Sequence, residues 1–145
     1  MARISVSFKK LVDEAVLPTY ATKGAAGMDI RVVDGGILGP HETALFKTGL
    51  SVEIPPDWEL QIRSRSGMSL KGIVVANSPG TIDSDYRGEI GILLHNNNNQ
   101  SVVIEPGQRV AQAVLAFAPQ ADILLKEELS STERGSGGFG STGVK

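Results

Sequence analysis

The stretch LSVEIPPDWELQI, residues 50–62, consists of two runs of alternating apolar and polar residues on either side of a Pro-Pro-Asp turn. Such alternation is the pattern of a half-buried β-strand. Two similar runs are RISVSF at residues 3–8 and SVVIE at residues 101–105, and clusters of Gly, Pro and Asn separate these segments. Because short strands between such turns are typical of sandwiches and barrels, the sequence predicts an all-β fold.

Two other segments carry local predictions. The segment SGMSLK, residues 66–71, predicts one or two helical turns capped by Ser66, although an ordinary polar turn explains the same residues equally well. A helix start there would direct backbone N–H groups toward an anion. The run Asn96–Asn99 predicts a hairpin tip, because asparagine tolerates the left-handed conformation.

The composition limits the partners of the chain. Its 145 residues suit a single domain, and 14 Lys plus Arg against 16 Asp plus Glu offer no general attraction to nucleic acid or to a membrane surface. The absence of cysteine excludes thiolate metal sites, and two separated histidines disfavour a zinc site. No apolar run at the start suits a signal peptide, so we expect a cytoplasmic location, with the nucleus or a virus-infected cell left open.

The segment RGSGGFGSTG, residues 134–143, has the G-x-G-x-x-G spacing of a dinucleotide-binding turn. A genuine turn of that kind lies between a strand and a helix, and a phosphate-binding P-loop needs a following Gly-Lys-Ser/Thr, so both interpretations fail. Two remain: a disordered glycine-rich tail, or a segment that folds over a ligand with phosphates and a flat ring. Phe139 favours the second, because an aromatic ring has no core to join there.

Two internal segments carry candidate chemistry. GTIDSDYRGEIGI, residues 80–92, predicts a hairpin with two carboxylates, Asp83 and Asp85, although aspartates in such a turn often bond only local backbone. RSRSGMSLKG, residues 63–72, offers arginines and serines before the possible helix, which suits either phosphate binding or a solvated basic turn.

Taken in order, five segments resemble the five motifs of the trimeric dUTPase (dUTP diphosphatase) family. They are GAAGMDI (24–30), RSRSGMSLKGI (63–73), GTIDSDYRGEIG (80–91), GQRVAQAVL (107–115) and RGSGGFGSTG (134–143). The resemblance implies a distorted jelly-roll or β-clip barrel subunit with one short helix, comprising a β core (1–118), an arm (119–133) and a mobile closing segment (134–145). It also implies a homotrimer whose active sites are shared between subunits.

The activity implied by the resemblance is hydrolysis of dUTP to dUMP and pyrophosphate, which keeps uracil out of DNA and supplies dUMP for dTMP synthesis. Mg²⁺ would be held by the triphosphate, with no direct protein ligand. Asp83 would be the base that activates water, and Asp29 would support the site by pairing with an arginine. The implied substrate contacts are Arg65, Ser66, Gly67, Asn77, Gly80, Ile82, Tyr86, Gln112, Arg134, Phe139, Gly140, Ser141 and Thr142.

Within that resemblance, Tyr86 would pack against the sugar and exclude a 2′-hydroxyl, and Phe139 would cover the uracil. Two positions depart from the family pattern: Ser64 replaces the usual proline, and Thr81 replaces the usual Val or Leu. The alternatives are a dCTP deaminase-related enzyme, which would share the fold, and a family member with a regulatory protein-binding role.

Overall fold

The computed structural model describes residues 3–144 and contains, over that range, eleven β-strands and one short helix. The predicted all-β class is therefore confirmed. The elements are β1 (Ser7–Lys10), β2 (Met28–Arg31), β3 (Gly36–Leu38), β4 (Thr43–Lys47), β5 (Leu50–Glu53), β6 (Trp58–Arg63), α1 (Ser66–Leu70), β7 (Ile73–Val75), β8 (Gly80–Ile82), β9 (Gly91–Asn96), β10 (Val102–Ile104) and β11 (Arg109–Phe117).

The strands form two larger antiparallel sheets and two strand pairs. The larger sheets have the orders β2-β11-β6-β8 and β4-β9-β7, and the pairs are β1-β5 and β10-β3. The two alternating runs of residues 50–62 therefore lie in different sheets, although only a short turn separates them. Asp57 in that turn has a φ of 69°, in the left-handed region, which directs the chain from one sheet to the next.

The core is built from the inward faces of these short strands. In β9, Ile92 and Leu94 are completely buried while Leu93 between them is exposed, as the period of two requires. The central strand β11 pairs with both β2 and β6 and buries Val110, Ala111 and Ala113. The neighbouring strand β6 in turn pairs with β8, the strand that precedes the predicted base Asp83.

The helix forms where it was predicted, but its start differs. Ser66 is the first helical residue, and Arg65 occupies the N-cap without a side-chain capping bond. The first turn is tied instead by the Ser69 hydroxyl, which donates to the Arg65 carbonyl at 3.0 Å. The prediction of Ser66 as the cap was therefore wrong by one position.

Both hairpin predictions were wrong, because tertiary pairing separates the strands that flank each loop. β8 pairs with β6, whereas β9 pairs with β4 and β7, so residues 83–90 connect two sheets. β9 and β10 also lie in different sheets. Asn96, the last residue of β9, is completely buried, and its amide donates to the carbonyls of Leu38, Gly39 and Gln100.

The chain beyond β11 has no assigned strand or helix through residue 144. Its apolar side chains face outward: Ile123 is 91% exposed and Leu125 is fully exposed. Its division into an arm (119–133) and a closing segment (134–145) stays a prediction, and Lys145 lies outside the described residues. No helix within residues 3–144 has the length and apolar character needed to cross a membrane.

Candidate active site

A cavity of about 220 Å³ lies beside Asp83, and Thr81, Ile82, Tyr86, Glu89, Ile90 and Gly91 complete its lining. Asp83 follows the last residue of β8, and its carbonyl accepts the Tyr86 N–H at 3.2 Å, which closes a turn. We find no hydrogen bond or ion pair of the Asp83 side chain within residues 3–144. An exposed carboxylate with free lone pairs beside a cavity can take a proton from a bound water.

Asn77 and Gly80 lie together at the other end of β8. A Cβ placed on Gly80 would meet the Asn77 amide nitrogen at 3.2 Å, so the Asn77 side chain lies over the glycine. β8 is an edge strand, because only its β6 side is paired. Its other edge presents backbone donors and acceptors to whatever binds there.

A second cluster, the Asp29 cluster, consists of Asp29, Arg65, Arg109 and Gln112. The Asp29 carboxylate, 18% exposed, lies 3.6 Å from Arg65 Nε and 3.4 Å from Arg109 Nη1. Arg65 also donates to the Arg109 carbonyl at 2.9 Å. The predicted pairing of Asp29 with an arginine is present, and the second arginine adds a further cation.

Gln112 joins this cluster through the register of β11. It lies opposite Asp29 on β2 and opposite Arg63 on β6, and its amide donates to the Ser64 carbonyl at 3.0 Å. The Gln112 side chain passes close to Gly27, where an added Cβ would lie 3.1 Å from Gln112 Cβ. The first and fourth sequence motifs therefore meet in space.

Ser66 and Gly67 lie in the first turn of α1 and are both exposed. A Cβ on Gly67 would meet nothing within 4 Å. The packing of the chain itself therefore does not require glycine here, and the open space suits the close approach of a ligand.

The C-terminal segment encloses a separate cavity of about 820 Å³, lined by residues 132–134 and 137–142. Arg134 Nε donates to the Gly137 carbonyl at 2.9 Å, and backbone turns follow at Ser141 and Gly143. The Phe139 ring is fully exposed, at a backbone φ of 53°. Arg134, Phe139, Gly140, Ser141 and Thr142 are thus brought near one another. Apart from the Gly135 N–H, which donates to the Thr132 hydroxyl at 3.0 Å, we find no hydrogen bond from residues 134–144 to the rest of residues 3–144.

The Asp83 cavity and the Asp29 cluster lie at opposite ends of β6. The antiparallel pairing of Leu60 with Ile82 puts Asp83 near the start of β6, whereas Arg65 follows its end. A strand of six residues spans about 20 Å. The structure of one chain therefore does not bring the predicted base and the predicted phosphate contacts together.

The charges near Asp83 also indicate that the phosphate contacts lie elsewhere. A second cavity of about 510 Å³ adjoins it and includes the carboxylates of Asp57, Glu59 and Asp85. A cluster of negative side chains repels an anion. The cations of the Asp29 cluster, at the far end of β6, are the better place for a polyphosphate.

Sequence reasoning missed Arg109 and Glu89. Arg109 is part of the motif GQRVAQAVL, from which only Gln112 was selected, and its contact with Asp29 joins positions 80 residues apart. Glu89 lies in the third motif, and its carboxylate accepts the Gly49 N–H at 2.8 Å. The motifs contain both residues, but no local pattern shows which distant group each one contacts.

Comparison with known proteins identifies the family. A family model described as dUTPase matches residues 13–143. The chain belongs to the dUTPase family. Two bacterial relatives bear the name deoxyuridine 5′-triphosphate nucleotidohydrolase: that of Treponema denticola is 56% identical over 140 residues (94% of this chain, 97% of the relative), and that of Nautilia profundicola is 53% identical over 141 residues (97% and 99%).

Solved dUTPase structures share the fold. The Staphylococcus bacteriophage 80alpha dUTPase with dUPNHPP superposes with a TM-score of 0.90 at 31% identity, covering 97% of this chain and 99% of that one. A mutant dUTPase from phage phi11 of S. aureus, described with a structural Mg(II) ion, gives a TM-score of 0.82 at 27% identity, covering 88% and 99%. The predicted jelly-roll type of dUTPase subunit is thereby confirmed.

Proposed function

We propose that this chain hydrolyses dUTP to dUMP and pyrophosphate, with Asp83 as the base. The observation that carries the proposal is the Asp83 carboxylate, which has no partner that we find within residues 3–144 and lies beside a cavity of about 220 Å³ in a chain of the dUTPase family. The 80alpha dUTPase binds dUPNHPP, which supports a deoxyuridine triphosphate as the ligand. The dCTP deaminase alternative has no comparable support.

In the proposed reaction, Asp83 takes a proton from a water that attacks the α-phosphorus. The bond from that phosphorus to the bridging oxygen breaks, and pyrophosphate leaves. A positioned general base contributes about 10² to 10⁴ in rate. The remaining acceleration has to come from orientation of the triphosphate and from cations near its oxygens.

The free edge of β8 is the proposed reader of the base. Uracil presents an acceptor, a donor and an acceptor along one edge, and a strand edge presents alternating backbone groups that can match them. Gly80 and Ile82 lie on this edge strand, and the Asn77 amide lies beside Gly80. A mismatched buried hydrogen bond discriminates by about 10⁴, so cytosine is rejected more strongly than shape alone allows.

Mg²⁺ enters the proposal together with the triphosphate. Within residues 3–144, no group of three or more His, Cys, Asp or Glu side chains is placed to hold a metal ion. In the proposal the substrate phosphates carry the ion, because Mg²⁺ keeps several of its waters and commonly binds phosphates with few protein ligands. When bound, the ion neutralises charge on the phosphate oxygens.

The proposal includes a site shared among three copies of the chain. Asp83 and Tyr86 come from one copy, and Arg65, Ser66, Gly67 and Gln112 from a second. The separation of about 20 Å along β6 supports this division. The closing segment with Arg134 and Phe139 reaches the site from a further chain, and ordering it costs backbone entropy that nucleotide contacts offset.

Pyrophosphate release tests the activity. Purified protein with Mg²⁺ is given dUTP, dCTP, dTTP or UTP in separate reactions. The proposal expects rapid release from dUTP alone. If no pyrophosphate is released from dUTP, the proposal is refuted. Release of ammonia from dCTP would support the dCTP deaminase alternative instead.

Complementation tests the shared site. Asp83→Asn and Arg65→Ala variants are each inactive in the proposal, but when co-refolded in equal amounts they restore about a quarter of the sites by random assembly. Each variant refolded alone is the control. If native mass spectrometry shows mixed oligomers and no activity is recovered, each site must lie within one chain.

A further inference from the structure

Two connections between sheets meet beside the Asp83 cavity. One is the loop after β8, which ends at Glu89 and Ile90, and the other is the turn of Thr48 and Gly49 between β4 and β5. The Gly49 N–H donates to the Glu89 carboxylate at 2.8 Å, and the buried Thr48 hydroxyl donates to the Ile90 carbonyl at 2.7 Å. Glu89 is therefore fastened to a turn 40 residues away in the chain.

The Tyr86 ring depends on the same residue. Its hydroxyl donates to the Glu89 carbonyl at 2.9 Å. The ring passes over Gly88, where a Cβ would overlap it and come within 2.8 Å of Cε1. The ring is 45% exposed, so packing on one side and this single hydrogen bond set its position. Movement of Glu89 would release the ring.

We propose that Glu89 is a positioning residue that holds Tyr86 as a rigid wall of the cavity and thereby sets the preference for deoxyribose over ribose. The inference rests on the proposed function and on the contact of Tyr86 with the sugar that the family resemblance implies. Exclusion of a hydroxyl by shape requires a wall that does not move aside. The Glu89 carboxylate supplies that rigidity, because a charge-assisted hydrogen bond to backbone is stronger than a neutral one.

The receiving turn is itself restricted. Gly49 has a φ of 68°, and a Cβ there would come within 2.8 Å of Val12 and 2.7 Å of Val33. A side chain at this position is therefore strained and crowded. This geometry holds the Gly49 N–H in place. The hydrogen bond from that N–H to the Glu89 carboxylate therefore fixes Glu89, and with it the cavity wall, relative to the turn.

The chain offers a matched control for a merely structural role. Glu42 also accepts a glycine N–H through its carboxylate, from Gly39 at 2.9 Å, but it is absent from the lining of the Asp83 cavity. Glu42→Ala and Glu89→Ala both remove a bond from a glycine N–H to a carboxylate, although the Glu42 bond is exposed and spans three residues whereas the Glu89 bond is half-buried and spans 40. Loss of such a bond away from the cavity should leave sugar selectivity unchanged.

The first test compares kcat/KM for dUTP and UTP. We expect Glu89→Ala to lower the dUTP/UTP ratio about tenfold, which corresponds to about 1.4 kcal/mol. Glu89→Gln, which keeps an acceptor oxygen but loses the charge, should lower the ratio by less than Glu89→Ala, and Glu42→Ala should leave it unchanged. Tyr86→Phe should lower the ratio and show no additive effect with Glu89→Ala. A wild-type ratio in a folded Glu89→Ala protein would overturn the inference.

The second test does not depend on activity. The chain has two tyrosines, so Tyr20→Phe protein labelled with 3-fluorotyrosine gives one ¹⁹F resonance, from Tyr86. We expect Glu89→Ala to shift or broaden it and Glu42→Ala to leave it alone. An unchanged resonance refutes the positioning role. Failure of wild-type protein to hydrolyse dUTP would instead refute the proposed function, while this spectrum still decides whether Glu89 holds Tyr86.

Discussion

Asp29 and Asp83 are both aspartates of the predicted site, yet their surroundings are opposite. Asp29 lies within β2, is 18% exposed and faces two arginines at 3.4 and 3.6 Å. Asp83 lies just beyond the end of β8, is exposed to solvent, and has no side-chain hydrogen bond or ion pair that we find in residues 3–144. One carboxylate is paired with cations, and the other has no partner that we find within residues 3–144.

This difference separates a structural role from a chemical one. A carboxylate that faces two arginines holds those cations in position for a third group. A base needs a free lone pair within reach of the water it activates. The same side chain thus serves as an organiser in the Asp29 cluster and as the proposed base at Asp83.

The largest effect is expected where the carboxylate is free. Asp83→Asn keeps the shape but removes the base, so kcat should fall about 10² to 10⁴-fold, with little change in melting temperature. Pyrophosphate release and thermal unfolding measure both quantities. Near-normal turnover of Asp83→Asn would show that Asp83 is not the base and that the contrast with Asp29 has no chemical meaning.

Removal of the closing segment tests whether the Asp83 cavity and the Asp29 cluster are enough for full activity. A chain ending at Glu133 loses Arg134 and Phe139, which make no hydrogen bond that we find to the core. We expect kcat/KM for dUTP to fall about 10²-fold, because orientation of the triphosphate is lost, while the fold stays intact. Full activity of the truncated protein would show that the segment is an ordinary tail.

Asp29→Asn should act mainly on binding. Loss of its charge releases Arg65 and Arg109, so the KM for dUTP should rise about tenfold and the free energy of unfolding should fall by about 1 kcal/mol. Steady-state kinetics and urea unfolding check the two effects. A loss of kcat equal to that of Asp83→Asn, with KM unchanged, would mean that Asp29 also takes part in the chemical step.

The smallest effect on turnover is expected at Ser64. Its hydroxyl accepts the Val75 N–H at 2.8 Å and its carbonyl accepts the Gln112 amide at 3.0 Å. Ser64→Pro keeps the carbonyl but leaves the Val75 N–H without its acceptor, which costs about 1 kcal/mol of stability. We expect kcat to change less than about threefold. A change of preferred nucleotide, seen by pyrophosphate release, would contradict this view of Ser64.

Much of the fold class and of the site chemistry could be predicted from sequence. The alternation in residues 50–62 marked β5 and β6, because side-chain period is a local property of a strand. The segment 66–71 marked the helix within one residue of its start. Strand pairing was harder: the loop after Asp83 and the run Asn96–Asn99 suggested hairpins, but long-range contacts sent the flanking strands to different sheets.

Residue types and their order along the chain were sufficient to identify an all-β member of the dUTPase family and to select Asp83, Arg65 and Phe139 as candidates. Only the tertiary structure revealed that Asp29 is engaged by two arginines, that Glu89 fastens the Tyr86 loop to Gly49, and that the Asp83 and Arg65 regions lie at opposite ends of β6. The physical reason is that periodicity and turn chemistry are local, whereas these contacts join residues 18 to 80 positions apart through sheet packing.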